Sequence, residues 1–382
     1  MQPERPESRS PRTLLIVGGG HATLPLIKMG KSWASEIRVV LISASRYLYY
    51  SGAIPQFMGG FYELDETRID LKTLAGRYGT AFHEGYVTAV EPGKKQVRCT
   101  DGRMFTYDAL VLNTGVETPS ESSAAPLFPV KPMGRLISLQ QQREAGRISR
   151  LLIAGGGAAG VELMLNISHP AQQRAAPPER LTLVHQGSRL LPGFPATIAR
   201  KVEACLCARG VELRLNEAWS PGEARNKEYD AVVPATGNRP ITAGIQHGLP
   251  EDASRRIRTS DFLQVEEHPE IFAAGDGARV GPGYAEVGVH AVKQGPVLRH
   301  NVATLFSGGK MKPYKPYAVS PLIISNGNSE GFFVAGKTGF TGRWAIVLKY
   351  MLDMNWLEKY TRPPQARRSW SRLLRDAQAR TV

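Results

Sequence analysis

The chain twice passes from a short apolar run through a glycine cluster into a stretch of helical spacing and then into a second apolar run. Thr13 to Val17 (TLLIV) enters Gly18-Gly19-Gly20-His21-Ala22-Thr23, and Ile37 to Ile42 (IRVVLI) follows the helical stretch. Apolar runs of this length bounded by glycine predict buried strands, so the segment predicts a βαβ unit. Leu151 to Ala154 repeats the pattern with Gly155-Gly156-Gly157-Ala158-Ala159-Gly160, a helix from Val161 and a strand at Leu181 to Val184. Between that helix and strand, SHPAQQRAAPPER carries three prolines and predicts a surface loop. Each unit is followed by a matching segment, YDALVLNTG at Tyr107 to Gly115 and YDAVVPATG at Tyr229 to Gly237; Ile271 to Ala278 (IFAAGDGA) adds a strand ending in a Gly-Asp-Gly turn. From about Tyr314 the pattern turns to sheet. Gly342 to Tyr360 then predicts an amphipathic helix, with Trp344, Val347, Leu348, Met351 and Leu352 forming the stripe expected to dock on the core.

A strand that turns tightly into a helix presents free N–H groups and a partial positive charge, the usual seat of a dinucleotide pyrophosphate. Gly155, Gly157 and Gly160 satisfy G-x-G-x-x-G in full; in the first copy Gly18 and Gly20 are present, but Thr23 stands at the third position. An acid at the end of the second strand normally accepts hydrogen bonds from the adenosine ribose. The first unit has Ser43 there and the second has His185, which removes the usual repulsion of a 2′-phosphate and opens the site to NADPH, with Arg189 nearby as a counter-charge. Asp276 in the Gly275-Asp276-Gly277 turn suits a flavin ribityl hydroxyl; its competing role is to cap its own turn. Val289 to Asn301 predicts a helix whose first turn could face a flavin pyrimidine and stabilise negative charge there.

Length and composition narrow the class. At 382 residues, 42% of them hydrophobic and 21% charged, the chain is globular and too long for one core. Cys99, Cys205 and Cys207 are too few and too badly spaced for a disulfide scaffold or a tetrahedral metal site, so no metal is expected and a reducing, cytoplasmic setting is favoured. The net charge of +14 is concentrated at the C-terminus, where residues 343–382 hold nine Lys/Arg against three Asp/Glu. No recognition fold accompanies this charge, which argues against nucleic acid. Beyond Pro363-Pro364, Trp370, Leu373 and Leu374 interleave with Arg367, Arg368, Arg372 and Arg375, a pattern suited either to an anionic lipid surface at the inner face of the membrane or to a disordered basic tail. No run approaches a bilayer span, and the N-terminus has no signal-type core.

On GGGHA, YYSGAIPQFMGGFYELDETRIDL (Tyr49 to Leu71), PVKPM (Pro129 to Met133), GVHAVKQGP and the Lys349/Asp353 pattern, the chain resembles the two-dinucleotide-binding-domain flavoproteins. Within them it is similar to the pyridine nucleotide-disulfide oxidoreductase relatives of type II NADH dehydrogenase, and more narrowly to the oxidoreductases found beside selenide, water dikinase. The resemblance implies an α/β fold of two Rossmann-like domains, with the NAD(P) domain inserted in the FAD domain, plus a C-terminal α+β region. The expected bounds are 13–118 and 244–310 for the FAD domain, 119–243 for the NAD(P) domain, 311–361 for the C-terminal interface region and 362–382 for the basic tail.

It further implies that FAD and NAD(P)H are cofactors of an oxidoreductase, with a small-molecule electron acceptor, quinone or a soluble compound of selenium or sulfur metabolism. A homodimer is the assembly it suggests. A flavin-binding sensor or assembly protein with little turnover is the alternative from another class. The expected cofactor-binding residues are Gly18, Gly20, His21, Ala22, Ser43, Thr114, Gly115, Gly155, Gly157, Gly160, Glu162, His185, Thr236, Gly237, Gly275, Asp276 and Gln294. Glu162 could orient a nicotinamide carboxamide or sit as a solvated first-turn carboxylate. Lys131 could reach the flavin, although a linker role suits it better, and His21 reads more readily as a packing residue. Three departures matter: Tyr47 to Gly60 lacks the redox cysteine pair of disulfide reductases, the cysteine spacing does not suit sulfide oxidation, and Val289 and Lys293 replace the quinone-site glutamines while Gln294 is kept.

Overall fold

The computed structural model describes residues 10–119, 123, 125–171, 175–176, 178–281, 288–317 and 319–381. The elements that place the sites are, in chain order, β1 (Arg12–Val17), α1 (Leu24–Ile27), β2 (Ile37–Ser43), β3 (Ala81–Glu84) and β4 (Ala109–Leu112). They continue with β5 (Arg150–Ala154), α2 (Ala158–Ile167), β6 (Arg180–His185), α3 (Ala196–Ala208), β7 (Glu212–Leu215), β8 (Ala231–Pro234) and β9 (His268–Ala273). Last come α4 (Gly288–Ser307), β10 (Leu322–Asn326), β11 (Glu330–Ala335), β12 (Thr338–Gly342), α5 (Arg343–Thr361) and α6 (Trp370–Arg380). The chain divides into two compact units. The first comprises Met1–Leu48, Asp70–Gly115 and Pro240–Tyr317; the second comprises Tyr49–Ile69, Val116–Arg239 and Ala318–Val382.

The first unit is built on an eight-stranded sheet in which β9, β4, β1, β2 and β3 are parallel neighbours in that order. Leu14, Leu15 and Ile16 are fully buried, as expected for a strand covered on both faces. The second unit holds the parallel sheet β7-β6-β5-β8 and the antiparallel sheet β10-β11-β12. Both βαβ repeats therefore fold as the apolar runs predict. Part of the proline-marked loop, residues 172–174 and 177, lies outside the described residues.

The C-terminal helix is turned the other way from its expected orientation. Helix α5 buries Ala345, Ile346, Lys349, Tyr350, Asp353, Met354, Leu357 and Glu358, while Trp344 and Leu352 of the predicted docking stripe are each 47% exposed. Burial is decided by which side chains find partners, and here the charged ones do. The basic tail is likewise ordered: Ser369 caps α6 by accepting from the Arg372 N–H, and Leu373 and Ala377 are buried. Arg368 donates to both Glu358 oxygens, to Asp376 and to the Tyr350 hydroxyl. Arg380 forms a bidentate pair with Glu66. A free arginine-rich tail that inserts Leu373 into lipid is thus replaced by a latch on α5.

Leu373 is fully buried, so Leu373→Ala should destabilise the protein by about 2–5 kcal/mol, the cost of a truncated core leucine. Urea unfolding checks this; an unchanged midpoint would show that α6 adds nothing to the second unit.

Candidate functional site

In the first unit the strand order reverses at β1, which has β2 on one side and β4 on the other, so the crevice lies at the carboxyl ends of these strands. Gly18 leaves β1 at φ +96°, and a Cβ there would lie 2.2 Å from the Asn113 carbonyl oxygen. Gly20 and Gly275 approach the Asn113 side chain as closely, at 2.7 and 2.5 Å for an added Cβ. Asn113, 5% exposed, is therefore the hub on which the two glycine turns close, and it is absent from the expected set. The only hint was the difference between VLNTG and VPATG in otherwise matching segments.

Thr23, at the third glycine position, is fully buried, with Oγ1 2.9 Å from the carbonyls of Gly18 and Gly20. Its hydroxyl satisfies the loop from within. Gln294 accepts the Gly275 N–H at 2.7 Å and so pins the Gly-Asp turn to α4. Asp276 is half-buried, and its backbone carbonyl accepts from Arg256 Nε. Gly115, at φ +77°, has open space where a side chain would be, and Thr114 borders Gly277. Ser43 spends its hydroxyl on the Ser45 carbonyl; Ala22 is buried and His21 partly so. The strained glycines and the open space at Gly115 leave backbone bare at the crevice, which fits the pyrophosphate and ribityl portions of FAD. The helix after this loop has only four residues, so loop N–H groups rather than a long helix dipole would meet the anion.

The second unit gives each motif glycine a separate task. Gly155, at φ +124°, would place a Cβ 2.6 Å from the Ala235 carbonyl; at Gly160 a Cβ would lie 2.1 Å from the Gly155 carbonyl; Gly157, the N-cap of the ten-residue α2, has open space. These are the tight turn, the close helix packing and the approach path for a pyrophosphate. His185 Nδ1 accepts the Gly156 N–H at 3.2 Å, so the neutral ring carries its proton on Nε2, a buried atom with no hydrogen-bond partner among the described residues. Burial lowers the pKa of this ring. The strand end thus presents no acceptor where an acid would take hydrogen bonds from a ribose. Arg189, in contrast, donates to the carbonyls of Phe194 and Pro192 and is occupied within its own loop. Thr236 and Gly237 are exposed, with Gly237 at φ +57°.

A cluster of ionisable groups, Lys349 and Asp353 buried and Glu162 and Tyr50 half-buried, begins on α2. Glu162 accepts from the backbone N–H and hydroxyl of Ser325 at 2.8 and 2.7 Å. These contacts to one carboxylate oxygen correct the expectation of a solvated first-turn carboxylate. Lys349 donates to Asp353 at 2.8 Å and to the Gly52 carbonyl, and the Tyr50 hydroxyl donates to Asp353 at 3.0 Å. Burial pushes the Glu162 carboxyl up, with Lys349 and Ser325 offsetting it in part. Burial also works to discharge Lys349, but Asp353 and Glu162 outweigh it and hold the ammonium pKa above its ordinary value. Burial and Asp353 drive the Tyr50 phenol well above its usual range. Lys131 lies on the connection before the helix Gly134–Glu144, where its carbonyl accepts the Thr118 N–H.

Comparison with known proteins places this geometry. The family model described as pyridine nucleotide-disulphide oxidoreductase matches residues 12–295. Ferroptosis suppressor protein 1 of Taeniopygia guttata is 24% identical over 376 residues, covering 89% of this chain and 93% of that protein. The nitric oxide reductase FlRd-NAD(+) reductase of Salmonella paratyphi A is 26% identical over 294 residues, 70% of this chain and 73% of that protein. Among solved structures, NDH2 from Plasmodium falciparum in complex with NADH aligns at a TM-score of 0.76 with 13% identity, covering 97% of both chains. The sulfide:quinone oxidoreductase of Aquifex aeolicus aligns at 0.72 with 16% identity, covering 93% of both. At these identities the structures establish the shared fold.

Two substitutions test the cofactor residues. Asp276→Ala should lower flavin occupancy by about 1.5–3 kcal/mol, the worth of a charge-assisted hydrogen bond; full FAD retention after gel filtration would remove Asp276 from the site. With no acid at His185, preference for NADH over NADPH should stay below about a hundredfold, roughly 2.7 kcal/mol, and His185→Glu should shift kcat/KM toward NADH.

Proposed function

The chain belongs to the pyridine nucleotide-disulphide oxidoreductase family, and from that premise we propose that it is an FAD-dependent NAD(P)H oxidoreductase whose acceptor takes protons together with electrons, a quinone in the first instance. When bound, FAD would supply the redox chemistry between NAD(P)H and the acceptor. The protein's part is position and charge. The first-unit crevice around Gly18, Asn113 and Asp276 would hold the flavin, and the second-unit loop at Gly155 to Gly160 would hold the nicotinamide nucleotide, with His185 toward its ribose.

The observation that carries the choice of acceptor is the Glu162, Lys349, Asp353 and Tyr50 cluster. An acceptor of single electrons, such as an iron–sulfur protein, needs no proton donors, whereas a quinone needs two protons as it is reduced. Glu162, its carboxyl pushed up by burial, is a group able to hand over a proton away from water, and the Lys349 ammonium, held charged by Asp353 and Glu162, favours the anion that forms as a quinone is reduced. The absence of a cysteine pair from Tyr47 to Gly60 removes a thiol relay from the route.

The exposed stripe of α5 supports a membrane-surface setting for that acceptor. Trp344 and Phe340, the latter at 56% exposure on β12, line a cavity of about 530 Å³ together with Ile198 and Lys201, and Leu352 is exposed further along α5. No helix among the described residues is long and apolar enough to cross a membrane, so attachment would be shallow, and association of two copies through the same stripe is the competing use.

Anaerobic titration of the purified yellow protein with NADH and NADPH, followed by a panel of a short-chain quinone, a disulfide, selenite and an iron–sulfur protein, tests the reading. Rapid bleaching with reoxidation by the quinone is expected. Slow or absent bleaching would overturn the enzyme reading, and reoxidation by the iron–sulfur protein alone would overturn the proton-taking acceptor. Lys349→Met should leave bleaching by NAD(P)H intact and slow reoxidation by quinone about 10²- to 10³-fold, the range of a lost electrostatic partner of a developing anion. Stopped-flow separation of the two half-reactions reads the difference.

A further inference from the structure

Away from both nucleotide loops, the edge of the first unit's sheet gathers three side chains that composition and spacing do not associate. His83 lies on β3, Cys99 closes the hairpin strand Gln96–Cys99, and Asp101 sits in the turn that leads to the strand Met104–Thr106. Their ligand atoms, one per residue, all lie within 4.8 Å of one another. The backbone fixes each of them. His83 is held in parallel register opposite Ile42, the Cys99 N–H donates to the Arg103 carbonyl, and the Gly102 N–H donates to the Cys99 carbonyl, so the turn carrying Asp101 is closed on both sides.

We propose that His83, Cys99 and Asp101 form a binding site for one thiophilic divalent cation of the zinc class. The set offers an imidazole, a thiolate and a carboxylate, the three donor types zinc accepts at about 2.0–2.3 Å in tetrahedral sites. His83 Nε2 lies 3.3 Å from Asp101 Oδ2, a normal spacing for two ligands of one ion. It is buried and makes no hydrogen bond there, so its lone pair or proton is not otherwise used on that side. The Cys99 side chain is 3% exposed and held beside them. A cavity of about 350 Å³ lined by Arg38, His83, Arg103 and Phe105 adjoins the histidine, and water would complete the tetrahedron.

Arg103 is the local competitor. Its guanidinium lies 3.1 Å from His83 Nδ1 and 3.4 Å from Asp101 Oδ2, where it supplies the positive charge that a cation would supply. The side chain is 65% exposed and can swing into solvent. Loading then proceeds in balance: Cys99 releases its thiol proton to solvent, the neutral His83 ring, whose Nδ1 accepts from Arg103 and whose proton therefore sits on Nε2, shifts that proton to Nδ1 as the guanidinium leaves, and the carboxylate exchanges the guanidinium for the metal. The linear sequence hides this arrangement, because the histidine and cysteine belong to different strands and only the sheet edge joins them.

The test uses the full-length flavoprotein in a Cys205→Ser, Cys207→Ser background, which removes the two other thiols. After chelator treatment, equilibrium dialysis against zinc chloride with atomic-absorption readout should show one tightly held zinc per chain. Cys99→Ser and His83→Gln should each weaken retention on the order of 100-fold, since even outer-shell partners command 10- to 100-fold. Arg103→Ala, a surface change that leaves folding intact, should strengthen it. Flavin content and far-ultraviolet circular dichroism verify that each variant is folded. No stoichiometric zinc in the background protein overturns the site, as does zinc retained equally by the Cys99 and His83 variants. Unchanged or weakened retention in Arg103→Ala overturns the displacement of the guanidinium.

Discussion

Both nucleotide loops depend on the absence of a Cβ where backbone meets backbone. A side chain at Gly18 would lie 2.2 Å from the Asn113 carbonyl, and one at Gly160 would lie 2.1 Å from the Gly155 carbonyl. These contacts are backbone against backbone, so no rotamer change relieves them. They fix how near the helix start comes to the strand end, and with it where an anionic ligand can approach. The two units reach closure differently. The second uses glycine at the packing position and continues into ten helical residues; the first uses Thr23, whose hydroxyl reaches the Gly18 and Gly20 carbonyls, and its helix stops after four. A hydroxyl that satisfies the loop locally removes the need for the closest helix packing, and the shorter helix leaves anion recognition to the loop itself.

The C-terminal helix departs from the usual logic of burial. It turns Lys349, Asp353 and Glu358 inward and leaves Trp344 and Leu352 at the surface. Burying an ion pair rarely raises stability above that of a well-packed apolar replacement, although removing one partner alone costs about 3–5 kcal/mol. Apolar residues were available on the same helix. The arrangement therefore makes little sense as a stabilising device and fits a site that needs ionisable groups away from water. The partners follow the same logic: Asp353 is shared between Lys349 and Tyr50, and Glu162 is held by Ser325, so each member is fixed in one geometry.

Much of the fold was legible because strands covered on both faces read as unbroken apolar runs, and glycine marks the turns that follow them. The repeated units and the Gly-Asp turn came directly from that rule. Asn113 was not legible, since a buried polar hub looks like any loop asparagine until its three glycine neighbours converge on it. The orientation of α5 was misread for a physical reason: helical periodicity ranks faces by apolar content, and it cannot register that Tyr50, Gly52 and Glu162, far away in sequence, supply partners for a charged face. His185 was placed correctly at the strand end, but the strand pattern could not reveal that its Nδ1 is taken by the glycine loop and that its Nε2 is buried. Arg189 looked available as a counter-charge, yet two nearby carbonyls hold it.

The basic C-terminus shows why a charge count does not by itself identify a partner. Arg368 and Arg380 are committed to Glu358, Asp376 and Glu66, so part of the positive charge is neutralised inside the second unit. What reaches solvent on α6 is narrower: Arg372 and Arg375, beside Trp370 at 49% and Leu374 at 38% exposure. At about 1 kcal/mol for each basic residue near an anionic leaflet, two such arginines give a weak attraction that salt within the Debye range, near 8 Å at physiological ionic strength, largely screens. The apolar residues at the surface of α5 and α6 would add shallow burial, not a span. The inner face of this segment latches the fold through Leu373 and Arg368, and its outer face carries only the few charged and apolar side chains left over from that packing.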